Sequence, residues 1–149
     1  MQLESLYQEI ILEHYRRPHH AGLREPYDSE SFQVNPTCGD EITLRVKVDG
    51  DEITDVSYHA EGCSISQASA SVLTDLVIGR GLDEGMRRHD EFLALMQSRG
   101  QQDPDEEVLE DGVAFAGVSK YPARVKCALL SWMAWKDAMM KATSKEGAR

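Results

Sequence analysis

Apolar residues recur at helical spacing over residues 2–16, where Leu3, Leu6, Tyr7, Ile10, Ile11 and His14 fall on one stripe. Pro18 ends that pattern. Residues 18–35 are rich in turn formers, with "SFQV" as a short extended piece. At Glu41 the period changes to two. Ile42, Leu44, Val46 and Val48 alternate with Glu41, Thr43, Arg45 and Lys47, and beyond "VDGDEI" Val56, Tyr58 and Ala60 alternate with Asp55, Ser57 and His59. Such alternation on both sides of Asp49-Gly50 predicts an antiparallel hairpin with one buried face.

Gly62 stops the second strand and Cys63 follows at once. "SISQASASVLTDLVIG" then predicts a helix with Ile65, Ala68, Ser69, Val72, Leu73 and Leu76 on its stripe and Gly79 at its C-cap. The small residues 68–71 permit close approach to the sheet. Residues 83–99 predict a further helix with Met86, Phe92, Leu93, Leu95 and Met96 apolar. "SRGQQDPDEE" is a polar loop, and Pro104 with Asp105 and Glu106 opens a short helix toward Val113 and Phe115. A last helix begins near Pro122, with Val125, Leu129, Trp132, Met133, Trp135 and Met139 read as core, and a tail that frays from Thr143. No repeat or linker divides the chain. The expected architecture is a single domain over 1–149 of the α+β class, a small antiparallel β-sheet of about three strands covered by helices.

Composition narrows what such a domain does. With 149 residues, 41% hydrophobic and 28% charged, the chain is long enough to bury a core without disulfides or a metal. A net charge of −10 argues against nucleic acid as a partner. No apolar run approaches the roughly 20 residues of a membrane span. The first residues carry acids early and bases late, the reverse of a secretory signal, so the expected compartment is cytoplasmic.

The chemistry concentrates in three cysteines. Cys38 precedes the first strong strand, Cys63 lies between a strand and a helix start, and Cys127 lies in the first turns of the last helix. Three cannot all pair, which leaves buried inert thiols, metal ligands or reactive thiolates. The hairpin folds Cys38 and Cys63 back to one edge of the sheet, since adjacent strands lie about 4.8 Å apart. Asp40, two residues after Cys38, can face the same side. Three thiolates and one carboxylate make a four-ligand shell suited to zinc, although each residue also has a bland role as turn thiol, packed core residue or turn carboxylate. Arg124 and Lys126 flank Cys127 and offset negative charge. Of the histidines, His14 reads as a satisfied structural group on an apolar face. His19 and His20 fall in a loop, His59 on a strand's polar face and His89 in a polar helix.

"NPTCGDEITLRVKVDGD", "AEGCSISQASASVLTDLV" and "SKYPARVKCALLSW" resemble the three cysteine motifs of the IscU/NifU-N family of iron–sulfur cluster assembly proteins. "EHYRRPHHAG" is similar to that family's N-terminal "DHY…NPRN" segment. Two departures from IscU resemble the SufU branch. Lys126 stands where IscU proteins have histidine, and a long segment, roughly residues 80–118, separates the second and third motifs. The resemblance implies an IscU/SufE-like fold and zinc, Zn(2+), held by Cys38, Asp40, Cys63 and Cys127. It implies sulfur accepted from the persulfide of a SufS-type cysteine desulfurase, for downstream Suf scaffold proteins. Cys38, on the most movable loop, is the expected acceptor, with Arg124 stabilising sulfur charge one helical turn before Cys127. A carboxylate ligand exchanges more readily than a thiolate, so Asp40 leaves room for a partner's ligand. Two alternatives use the same residues: a scaffold carrying a transient [2Fe-2S] cluster, and a structural zinc domain, which the Asp40 carboxylate disfavours. The polar segment 98–112 reads as a docking loop or as a solvated connection.

Overall fold

The period-two run becomes the centre of the molecule. In a computed structural model describing residues 3–147, the order is α1 (Leu3–Arg16), β1 (Ser29–Asn35), β2 (Asp40–Asp49), β3 (Glu52–Glu61), α2 (Ser64–Val77), α3 (Leu82–Gln97), α4 (Glu106–Leu109), a 3₁₀ segment (Glu110–Lys120) and α5 (Pro122–Gly147). The sheet is antiparallel, in the order β1-β2-β3. Leu44 faces Tyr58 and Val46 faces Val56 across the hairpin, and Ile42, Leu44, Val46 and Val48 are all buried. The reversal uses Gly50 at φ +63°, a conformation other residues adopt only with strain. "SFQV" extends into the seven-residue β1, which pairs with β2 from Ser29↔Val46 to Asn35↔Asp40.

Two details of β3 depart from simple alternation. The register shifts between Lys47 and Val48, leaving Thr54 as an extra residue and letting Ile53 join the core. Ser57, expected on the polar face, is buried because residues 22–24 cross over it. The Gly22 N–H donates to Tyr58 O at 2.8 Å, and the Arg24 N–H to Ser57 Oγ at 3.1 Å.

α5 covers the buried face of the sheet, with Ser31 Oγ donating to Asp137 Oδ2 at 2.7 Å. α2 is buried almost all round, from Ser66 to Val77, as a central helix must be. Its small residues admit α1 and α5 more than the sheet. Ser69 Oγ donates to Ala128 O at 2.6 Å and accepts from Trp132 Nε1 at 3.1 Å. Gly79, just past the end of α2, holds φ +84° and donates to Ile53 O at 2.7 Å.

α3 is less polar in context than in sequence. His89 is buried, its ring 6.2 Å from Trp132 and 6.0 Å from Trp135, while Phe92 stacks on Trp132 at 4.6 Å. Met133 departs from its expected core role. It is 56% exposed, because one residue beyond Trp132 turns the side chain about 100° round the helix. α5 does not fray at Thr143: its Oγ1 donates to Met139 O at 2.9 Å and the helix continues to Gly147. The last two residues of the expected tail lie outside the described residues. No helix among the described residues is long and apolar enough to cross a membrane.

Candidate metal centre

The register of β1 with β2 sets the first two donors. Asn35 pairs with Asp40, so residues 36–39 form a tight connection, closed by Gly39 N–H donating to Asn35 O at 2.9 Å. Gly39 takes φ +72° there. Cys38 rides exposed on that connection, while Asp40, the first residue of β2, is buried. The far end of the hairpin returns β3 beside this point, Glu41 facing Glu61, and delivers Cys63 at the N-cap of α2. The backbone N–H of Cys63 donates to Asp40 Oδ1 at 2.9 Å, and its thiol lies 3.5 Å from Asp40 Oδ2. Gly62 permits this approach. It holds φ +146°, and a Cβ at that position would collide with the Asp40 carboxylate.

α5 supplies the third sulfur. Cys127 Sγ lies 3.1 Å from Cys38 Sγ, both cysteines being free thiols. Donor atoms of Cys38, Asp40 and Cys127 lie within 4.8 Å of one another, with Cys63 joined through Asp40. The structure thus gathers Cys38, Asp40 and Cys127 into one donor cluster, with Cys63 beside Asp40. It adds one the sequence reading missed. Buried Asn35 donates through Nδ2 to Cys38 Sγ at 3.0 Å and stands 3.8 Å from Cys127 Sγ. Its Oδ1 accepts the Thr37 N–H at 3.2 Å. The only signal in the sequence is its place at the head of "NPTCGD".

Arg124 is exposed at the start of α5, its guanidinium over the Tyr121 ring at 5.1 Å. Lys126 is exposed as well. Arg124, Tyr121 and Ile65 line one side of a 470 Å³ groove that runs along α1 and the 3₁₀ segment.

Electrostatics state what the centre needs. Burial pushes the Cys127 thiol well above the usual cysteine range, and contacts with Asp40, Cys38 and Cys63 push the same way. Crowding acid groups in a half-buried place favours the protonated forms. A divalent cation among them reverses that preference, because coordinated thiols are deprotonated outright. Three sulfurs and one carboxylate oxygen are donors that zinc accepts at four-coordinate sites. The residues present therefore fit such an ion.

The profile of the NifU-like N terminal domain matches residues 6–128. A protein of Streptococcus pyogenes serotype M1, named iron-sulfur cluster assembly scaffold protein IscU, is 39% identical over 97% of this chain and 89% of its own length. The zinc-dependent sulfurtransferase SufU of Bacillus subtilis is 41% identical over 93% of this chain and 92% of its own. Among solved structures, a putative iron-sulfur cluster assembly scaffold protein for the SUF system from Fervidobacterium islandicum is similar at a TM-score of 0.78 with 33% identity. That match covers 92% of this chain and 98% of the other.

Proposed function

The chain belongs to the NifU-like N-terminal domain family of iron–sulfur cluster assembly proteins, and from that membership we propose that it is a zinc-dependent sulfur acceptor for a SufS-type cysteine desulfurase. The observation that carries this reading is the donor set, in which an exposed cysteine, Cys38, shares a centre with Asp40, Cys63 and Cys127. Those four residues would hold the ion. When bound, zinc supplies a redox-inactive positive charge that keeps the sulfurs deprotonated at neutral pH.

The chain's own residues divide the work by mobility. Cys127 is buried in α5, and Cys63, though exposed, is held at the start of α2 by its backbone N–H to Asp40. Cys38 is exposed on a short connection and is the acceptor. Its thiolate attacks the terminal sulfur of the partner's persulfide. A new S–S bond joins Cys38 Sγ to that sulfur, the partner's S–S bond breaks, and the electron pair leaves on the partner's cysteine as thiolate. No external oxidant or reductant is consumed. Asn35 Nδ2 orients the attacking sulfur, and exposed Arg124 offers a cation to the arriving persulfide. The sulfur then passes to downstream Suf scaffold proteins.

The test is alanine release by a cysteine desulfurase in the presence of zinc-loaded protein. Stimulation that requires zinc and Cys38, with a mass gain of one sulfur atom on Cys38, supports the reading. Undiminished stimulation by Cys38→Ala removes the acceptor role from that residue. Absent stimulation, with a stable [2Fe-2S] cluster formed from iron and sulfide, moves the reading to the scaffold role named for the streptococcal relative.

A further inference from the structure

The C-terminal half of α2 faces a second set of ligand-type side chains. His14 of α1, His19 of the following segment and Asp75 of α2 bring donor atoms within 4.8 Å of one another. Asp75 lies more than three helical turns beyond Cys63, about 18 Å along the axis, so this cluster is separate from the cysteine centre.

Each donor is already hydrogen-bonded, and with Asp111 on Nε2 an ion would reach His14 only at Nδ1, in place of the Ser71 hydroxyl. His14 is buried, with Nδ1 2.7 Å from Ser71 Oγ and Nε2 2.8 Å from Asp111 Oδ2. A carboxylate behind an imidazole is what fixes ring orientation and raises basicity in metal-bound histidines. His19 has Nδ1 2.5 Å from Asp75 Oδ2, and its backbone N–H donates to the same Ser71 hydroxyl at 2.8 Å. The two imidazole rings lie 4.7 Å apart. His20 joins from the rim, with Nδ1 3.0 Å from Thr74 Oγ1 and 3.8 Å from Asp75 Oδ1.

Helix-pinning hydrogen bonds do not account for the whole arrangement. Tyr58, 2% exposed, turns its hydroxyl toward Ser71 and Asp75, yet that oxygen has no hydrogen-bond partner of good geometry among the described residues. Orphaned buried hydroxyls are uncommon. His14 forms the floor, while the side chains of His19 and Asp75 are 46% and 35% exposed, so an ion enters directly from solvent.

We propose that His14, His19 and Asp75 form a second metal site, taking a divalent first-row transition ion, with Asp111 holding the His14 ring from behind. Two imidazoles and a carboxylate suit zinc, cobalt, nickel or ferrous iron and not the all-oxygen preference of calcium or magnesium. The absence of sulfur from this donor set gives it a distinct spectroscopic signature.

The experiment fills the cysteine centre with one equivalent of zinc and titrates the whole chain with Co²⁺, followed by equilibrium dialysis and visible absorption. One further equivalent is expected, with weak ligand-field bands and no cobalt–thiolate charge transfer. His19→Ala and Asp75→Asn should each weaken that binding at least tenfold while zinc content and circular dichroism stay unchanged. His14→Ala also removes a buried bridge between α1 and α2, so the two half-exposed positions carry the test. Failure to bind a second equivalent overturns the proposal. So does a second equivalent that shows thiolate charge transfer or survives both substitutions.

Discussion

At the residue scale, the cysteine centre depends on two small features beside its four donors. Gly62 is the sharper. A Cβ there strikes the Asp40 carboxylate, and φ +146° is strained for any other residue. Gly62→Ala should therefore displace Asp40 from the Cys63 N–H, lower stability by about 1–3 kcal/mol and weaken zinc binding at least tenfold, read by competition with a chromophoric chelator. Unchanged zinc affinity would show that Asp40 is not a ligand. Asn35 acts by a different route, donating toward two sulfurs. Its replacement by Ala removes an outer hydrogen bond of the kind that costs about 10–100-fold in metal affinity, and Asn35→Asp, which adds an anion facing the sulfurs, should cost more. If the two variants bind zinc equally, charge at this position is not felt by the centre. Cys38, Asp40, Cys63 and Cys127 were legible as candidate ligands because thiols and carboxylates announce their chemistry and hairpin topology brings two ends together. Asn35 and Gly62 were not, since each matters only through a contact that folding creates.

At the element scale, the hairpin and the helices followed from periodicity, whereas the crossings between them did not. Ser57 sits at a polar position of β3, yet the segment from Gly22 to Arg24 covers it. Arg24 pins that segment to β3 through a two-toothed pair with Asp55, Nε to Oδ2 at 3.0 Å and the outer nitrogen to Oδ1 at 2.8 Å. The guanidinium holds the Asp55 carboxyl below its ordinary range. A depressed folded-state pKa stabilises above the unfolded value, near 3.9, and the contribution disappears as pH falls through the folded value. Asp55→Asn should accordingly lower stability by about 1 kcal/mol or less at neutral pH, the pair being partly exposed. The gap from the parent should narrow only below about pH 4 in urea titrations, and a gap persisting at pH 2 would assign the effect to packing. α3 shows the same limit of sequence reading. His89 reads as part of a polar helix but is buried, beside an apolar face on which Phe92 lies fully buried between Trp132 and Phe115. Phe92→Ala should cost about 3–5 kcal/mol, detectable as a lower urea midpoint. A cost below 1 kcal/mol would mean that the long segment between the second and third cysteine motifs is not rooted in the core.

At the scale of the whole molecule, the question is whether the metal holds the fold together or only occupies it. The α+β class and single sheet were readable from strand and helix periods, but which helix lies innermost was not, because α2's serines and alanines look solvent-tolerant until α1 and α5 close on them. That interior answers the question. Its largest fully buried side chains include Trp132, Trp135, Phe92, Phe115, Leu44 and Leu73, and of the four candidate zinc donors only Cys127 and Asp40 are buried at all. The donors instead gather where β1, β2, β3, α2 and α5 reach one end of the sheet. A chain of this length buries enough surface to fold unaided, so chelation of zinc should leave far-ultraviolet circular dichroism nearly unchanged. Binding to the folded state alone still stabilises it, by about 4 kcal/mol when free metal is about a thousandfold above the dissociation constant. At roughly 2–4 °C per kcal/mol for this size, chelation should lower Tm by roughly 8–16 °C while unfolding stays cooperative. The second metal proposed at His14, His19 and Asp75 would add its own increment, abolished by His19→Ala and untouched by Cys38→Ala. A chain that loses its secondary structure on chelation would instead make zinc part of the fold. Cys38 could not then leave the metal to accept sulfur without unfolding its own platform, and the acceptor role would have to be abandoned.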